Sequence, residues 1–548
     1  MNRKLRQGIV KAALALICAV TLQAAGASQQ PSVRFVLADG AHVSDVTTVV
    51  AIPTASSGAY VDKVAFSVDG AVRYTDTSTP YSYDWDTLQE TEGPHTLSAT
   101  VTDSAGRTAS AQIRVIVDNE LSKGAAFFAS GAMEALEQGD NVKARNYMRR
   151  ALKLDPKNLV AAQVKARLLQ ADGNIDGAIA ALEAAAIPDS DYDALTELWQ
   201  LHMADTSPDI DLASFLQHAA TAVDLYHKAA AARIASLKGD DPGVAVRRGD
   251  VRLADRQWSA AIHDYEQAAD IDHATGSVAN RILLADTLSG ARLQAVKLLR
   301  DLNDQSRADE VTPVLAAMNM VDLSRFEQAR QTVRALVAAG NLPALIVEAY
   351  ADIGLNDSAA AHDALRRAMD IAPDNPDVLL LRGHFVRGAQ DPRDALIRAM
   401  RANPTTPQPY VVYAFLDMMR TGPGDPYPRA ERMLRFALKI APNNGLASVG
   451  LALCRLGAKD GAGAAAALKR LRNPTGDADV ETVYAQACEL LNDDLAARAA
   501  LRQAAHLAPD DWAGMAIPPL PNLVAHVFRY RLSPVLTPAT LYTARTAK

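Results

Sequence analysis

The residues whose types could do chemistry are few and poorly grouped. Eleven histidines are scattered along a chain of 548 residues. His218 and His227 fall in one helical stretch but on different turns, a poor arrangement for metal ligation, so a solvated helix face is the expected setting. Asp240–Asp241 and Asp493–Asp494 are adjacent acids at turn signals. There a carboxylate caps the next helix instead of facing a second carboxylate across a cleft. There is no H-E-x-x-H, no G-x-S-x-G, no Walker loop and no G-x-G-x-x-G after a strand. The expectation is a protein with no catalytic centre, no metal and no cofactor. Cys454 and Cys488 fall on positions that face different ways on separate helices. Neighbouring helix axes lie ~8–10 Å apart, so two free thiols acting as small apolar residues are expected.

The elements that would position any site divide into three kinds. The first is an N-terminal leader. A basic start ("MNRKLRQ") runs into an apolar stretch ("AALALICAVTL") and then small residues just before Ser28. This reads as a secretory signal peptide over residues 1–27, cleaved after Ala27. The apolar stretch is shorter than the ~20 residues that span a bilayer. The alternatives are a retained anchor, or lipid attachment at Cys18, against which Ile17 speaks. No other segment is apolar enough to cross a membrane. The expected protein is therefore exported, periplasmic or extracellular at the cell surface, with no membrane span after cleavage. With two cysteines left it must be stabilised by packing. The full chain carries a net charge of -7, and near -11 without Arg3, Lys4, Arg6 and Lys11 of the leader, which argues against a nucleic-acid binder, since that needs a basic face.

The second kind is a strand region, residues 31–119. Val64, Phe66 and Val68 share one face, as do Leu97, Ala99 and Val101, and Ile113, Val115 and Val117. Asp69-Gly70 sits between two alternating runs, a two-residue hairpin turn, and Asp103–Gly106 turns the next pair. Trp85 is expected in the core of the resulting β-sandwich. The order V-x-F-x-V-D-G, P-Y-S-Y-x-W-D, G-x-H-T-L, D-x-A-G resembles bacterial immunoglobulin-like domains of secreted and surface proteins. That resemblance implies a spacer or adhesion module without chemistry.

The third kind is helical, residues 122–511, in a chain that is 49% hydrophobic but only 5% aromatic and rich in alanine. Such a composition favours close-packed helices. The motif A-x3-Φ-x2-A-x4-P, with Φ a large apolar residue, recurs. Ala144, Met148, Ala151 and Pro156 fit it, as do Ala361, Leu365, Ala368 and Pro373. Ala430, Leu434, Ala437 and Pro442 fit, and so do Ala497, Leu501, Ala504 and Pro509. Ala462, Ala466 and Pro474 fit with one exchange, Ala178, Leu182 and Ala185 with an early Pro188, and Ala261, Tyr265 and Ala268 with no proline. Ala399 and Pro404 give the second half alone. Proline marks at 373, 404, 442, 474 and 509 scatter around a ~34-residue period. Each unit then consists of two antiparallel helices. Alanines let the backbones approach, proline stops the second helix, and Gly139, Gly173 and Gly457 fall near the bend. The pattern resembles tetratricopeptide repeats, strongly over 126–190 and 343–511 and weakly over 190–340, with about ten units. The fold class is thus multidomain, an all-β immunoglobulin-like sandwich followed by an all-α tetratricopeptide-type superhelical solenoid.

The resemblance implies a concave groove lined by the first helix of each unit. Carried onto this sequence, its positions are Val314, Met318 and Val321, then Ile346, Tyr350 and Ile353, with Gln163, Arg167 and Gln170 early and Gln486 and Glu489 late. An apolar middle groove takes a peptide or helix of a partner, or is filled internally. If the frame is shifted by one, the same side chains are core. The basic, apolar tail at 512–548 carries Arg529, Arg531, Arg545 and Lys548, and either lies back on the acidic solenoid or is disordered. The leading functional expectation is an exported, non-enzymatic scaffold or adaptor of the cell envelope that binds protein partners through the superhelix. The runner-up is an adhesion or glycan-binding protein, with a surface glycan held by the β domain and the repeats as spacer. Removing residues 28–120 would separate the two.

Overall fold

The computed structural model describes residues 30–204, 211–239, 241–271, 276–304, 308–384, 392–420, 427–472, 477–508 and 518–530, with 534, 536–537 and 540–541. The leader at 1–27, Pro474, Pro509, the Asp240 of one acid pair and the tail cations Arg531, Arg545 and Lys548 lie outside the described residues. The chain forms two compact units, residues 1–186 and 187–548.

The first unit opens with strands β1 (Ser32–Phe35), β2 (Ala41–Val43), β3 (Val46–Thr54), β4 (Val61–Val68), β5 (Ala71–Asp76), β6 (Ser82–Asp86), β7 (Gly93–Asp103) and β8 (Thr108–Val117). They make two sheets, β1-β3-β6 and β2-β8-β7-β4-β5. The alternation read from the sequence sets the register. Val64 lies opposite Val101, Phe66 opposite Ala99 and Val68 opposite Leu97. These side chains meet Val49, Ala51 and Trp85 of the other sheet in one buried core. Asp69 and Gly70 both take left-handed angles (φ 50° and 82°), as a two-residue turn between right-twisted strands requires.

Four helices complete this unit: α1 (Ala125–Glu137), α2 (Asn141–Leu154), α3 (Leu159–Ala171) and α4 (Ile175–Glu183). The sandwich is fastened to them by charge. Arg150, on α2 and only 6% exposed, donates from Nε and Nη2 to the two carboxylate oxygens of Asp45 at 2.8 and 2.7 Å. Asp45 is itself held in a left-handed turn by its N–H to Asn119 (2.7 Å) and its carbonyl to Thr87 (2.9 Å). Arg149 reaches Asp86 at 2.5 Å. The guanidinium of Arg150 also lies over the rings of Phe128 and Tyr147, so its apolar faces are covered as well.

The second unit holds α5 (Tyr192–His202), α6 (Leu212–Ser236), α7 (Pro242–Ala254), α8 (Trp258–Ile271), α9 (Gly276–Ser289), α10 (Arg292–Asp304), α11 (Thr312–Asp322), α12 (Phe326–Ala338), α13 (Leu342–Gly354), α14 (Ser358–Ile371), α15 (Pro376–Gly383) and α16 (Pro392–Ala402). After these come α17 (Pro407–Arg420), α18 (Pro428–Ile440), α19 (Gly445–Gly457), α20 (Gly461–Leu468), α21 (Ala478–Leu490), α22 (Asp494–Leu507) and a last helix in the tail, α23 (Leu520–Tyr530). From α1 to α22 each odd-numbered helix packs on the next, giving hairpins of two helices. The marked alanines are where they touch. Ala144, Ala151, Ala261, Ala361, Ala368, Ala430 and Ala437 are fully buried, with Tyr265 and Leu434 filling the space between. On the opposing first helix a residue without a side chain receives that filler. A Cβ on Gly249 would fall 2.5 Å from the Tyr265 ring.

Two frame assignments need correction. Ala462 and Ala466 are exposed, and Ala464 and Leu468 are the buried pair, so the buried face of α20 lies two residues on from the expected frame. The left-handed residue after α19 is Lys459, not Gly457, which still belongs to the helix. The weakly marked region is regular in a different mark. Left-handed residues close the first helix at Arg256, Gly290 and Ser324, 34 residues apart each time. This bend closes the first helix, and the geometry of its C-terminal turn sets it independently of the proline mark after the second helix. Asp241 and Asp493 cap α7 and α22 as expected. Cys454 and Cys488 are buried free thiols.

Replacing Arg150 by Ala leaves the Asp45 carboxylate buried without its partner. Equilibrium urea unfolding should show a loss of about 3–5 kcal/mol in the first unit.

Candidate functional site

The first helices contact one another in series, from α9 through α11, α13, α15, α17 and α19 to α21, and form a continuous inner layer. The tail lies on that layer. Helix α23 packs on α13, α17 and α19. Its residues Leu523, Val524, Val527 and Phe528 recur on one helical face and are all buried. Phe528 stacks on Phe415 (centroids 5.5 Å apart, planes at 19°) and lies 5.9 Å from the His384 ring. Nε2 of His526 meets Asp479 at 3.1 Å. Beyond the helix, Thr537 donates its N–H (2.8 Å) and hydroxyl (3.1 Å) to buried Asp377, and Asn375 donates to the Thr540 hydroxyl at 3.0 Å. Burial raises the Asp377 pKa, and the donors from the tail pull it back.

Of the six residues expected to line an open groove, Val321 borders the cavity described below and the other five do not line open space. Val314 and Met318 on α11, and Ile346 and Tyr350 on α13, are buried in the core; Val321 is buried too, and Ile353 is half-buried against the same core. The reason is double coverage. Each first helix is sandwiched between its neighbours, and α13 has the tail on the side that would otherwise face solvent. The early polar positions, Arg167 and Gln170, are exposed, Gln163 is half-buried, and of the late pair Glu489 is exposed.

Beside α23 a cavity of about 1280 Å³ remains open. One wall comes from the turns after α7 and α11, with Arg256, Trp258 and Ser324. The others come from His384 at the end of α15, Gln408 and Val411 on α17, the turn before α19, the start of α21 and His526 of the tail. His384 is 9% exposed, and burial pushes its pKa down to about 3, so the ring is neutral. Sequence reasoning missed His384, Arg256 and Asp377. Their roles come from contacts between units far apart in the chain, and the only local trace was a histidine ending the apolar run "VLLLRGH". The histidines singled out earlier are not on a bare face. Nδ1 of His218 lies 3.0 Å from Nδ1 of His202, and His227 pairs with Asp255 at 2.5 Å, which raises its pKa. Among the described residues no group of three possible metal ligands forms.

Residues 31–121 match the family model of a bacterial Ig domain, and residues 135–202 match that of a tetratricopeptide repeat. The protein therefore joins a bacterial immunoglobulin-like domain to a tetratricopeptide-type solenoid. Among solved structures, it is similar to the fibronectin(III)-like modules of CbhA from Clostridium thermocellum, at 24% identity and TM-score 0.15. That match covers 16% of this chain and 46% of that one, so the chain spans about half of those modules' length. The hetero-tetramer Cut9-Hcn1 of APC/C matches at 14% identity and TM-score 0.42, over 74% and 84% of the two chains. PilW, a type IV pilus biogenesis factor, matches at 20% identity and TM-score 0.31, over 37% and 96%. No curated protein matches the chain.

Two outcomes follow for this region. Phe528→Asp places a charge against Phe415, so hydrogen exchange across residues 520–530 should accelerate by at least tenfold while the first unit stays protected. Asp352, buried on α13, has its pKa raised to about 7, first by burial and then by Glu348, with Arg330 at 3.5 Å opposing. The folded state therefore holds a proton that the unfolded state releases near pH 4, and this contribution to stability is lost as pH rises through 7. Asp352→Asn should stabilise the second unit by about 1–2 kcal/mol at pH 8 and by nothing at pH 4, read by denaturant melts at both values.

Proposed function

We propose that the protein is a non-enzymatic scaffold of the cell envelope, exported by its N-terminal leader, that holds other proteins on its helical repeats. The observation that carries this reading is the seat of α23. The inner layer already accepts an amphipathic helix through a buried apolar face, flanked by the His526–Asp479 and Thr537–Asp377 contacts. A helix of a partner with the same spacing of apolar residues would use the same physics. The tail then acts as an internal competitor, and partner capture requires its displacement. The absence of catalytic signatures in the sequence agrees with a binding role, and the leader supports export.

The test is photo-crosslinking in cells from Leu323, a cavity-lining position that is 41% exposed. Discrete adducts with one or a few envelope proteins are expected, and Phe528→Asp should increase them severalfold. Only intramolecular adducts, in both forms, would overturn the proposal.

A further inference from the structure

Several arginines of the second unit share a habit of pairing with an acid. Arg248 and Arg252 both pair with Asp264, Arg281 with Asp250, Arg330 with Glu327 and Asp352, and Arg472 with Glu481. Arg256 breaks it. Its guanidinium lines the cavity and lies over the Trp258 ring, 5.0 Å from the centroid. No carboxylate and no carbonyl among the described residues accepts from it. Desolvation alone pulls its pKa down to about 10, with no acid near enough to push back. It remains charged at neutral pH, so a cation with five N–H donors faces the open cavity with no acceptor among the described residues. Such a group costs stability unless something supplies the acceptors.

The rest of the wall points the same way. Among the described residues the buried Oε1 of Gln408 and the buried Nδ1 of His384 find no hydrogen-bond partner, and both residues line the cavity. The acids at the start of α21 are committed. Asp477 caps that helix by accepting from the N–H groups of Asp479 and Val480, and Asp479 holds His526. A third acid, Asp322, also lines the wall, and Arg256 is the cation here that no acid is near enough to offset. The same walls carry the amide of Gln408, the neutral imidazole of His384 and the indole face of Trp258, polar and apolar groups of the kind that line ligand sites.

We infer that this cavity binds a small ligand bearing an oxyanion, with the Arg256 guanidinium as charge anchor, Trp258 as the surface the ligand's body lies against, and Gln408 and His384 as hydrogen-bond partners. A carboxylate and a phosphate both match the fork of a guanidinium. The site borders the seat of α23, because His526 forms part of its wall and His384 also meets Phe528, but its anchor, Arg256, and its platform, Trp258, lie outside that seat.

The experiment uses the full chain and two probes, inorganic phosphate and N-acetylglycine, with sodium chloride at matched ionic strength and neutral N-acetylglycinamide as controls. Melting temperature and tryptophan emission are both followed. Either anion should raise the melting temperature saturably and change the emission over the same concentration range. Trp258→Phe should abolish the emission change. The better probe tells a phosphate ligand from a carboxylate one. Arg256→Asn suits the left-handed backbone at this position (φ 63°), so it should fold as well as the parent. It should weaken the anion response at least tenfold. A response no larger than that of chloride, or one equally strong in Arg256→Asn, would mean an arginine merely solvated by cavity water and would overturn the inference.

Discussion

From residue 125 onward the structure depends on how closely two helices can approach. A methyl group at Ala430 and Ala437, or no side chain at Gly249, brings backbones near enough for one large residue to fill the gap beside them. That contact is short in sequence and repeats, so each hairpin forms from local information. Stacking then supplies the core that no single hairpin owns. The same economy leaves little aromatic surface, and the stacked pair Phe415 and Phe528 marks where the tail helix is held.

Much of the fold was legible because its signals are local. Alternation at Val64, Phe66 and Val68, the Asp69-Gly70 turn and the alanine motif each report on residues a few positions apart, and each acts as its chemistry dictates. The frame was lost where a mark depends on backbone geometry more than on residue type. Arg256, Gly290 and Ser324 share one left-handed bend but no common side chain, so the 34-residue spacing was invisible. The site was barely legible. Tyr350 looked like a groove residue because the family frame puts it there, but whether such a position is open depends on a tail some 180 residues further along the chain. A hydrophobic stripe reads the same whether it meets solvent, a partner or its own C-terminus.

The inner layer and its occupant illustrate two ways of satisfying a buried polar group. Asp377 is expensive by itself and is answered within the chain by Thr537. Arg256, His384 and Gln408 are not answered in that way, and they share one cavity. The contrast separates polar residues that fasten the tail from those that face open space, and Asp377 and His384 show both kinds at opposite ends of one helix, α15.

The Arg150–Asp45 pair has a consequence for geometry at longer range. Between Val117 and Ala125 the chain has only a short 3-10 turn at Leu121–Lys123, and the buried pair closes the gap from the side. The sandwich is therefore not a bead on a string. A partner that touched both the sandwich and the first repeats would meet its second contact at an effective concentration fixed by rigid placement, with no linker entropy to dilute it. Conversely, cutting the chain between the two leaves a stranded guanidinium at the new end of the solenoid, so a deletion of the front domain alters the repeats it was meant to isolate.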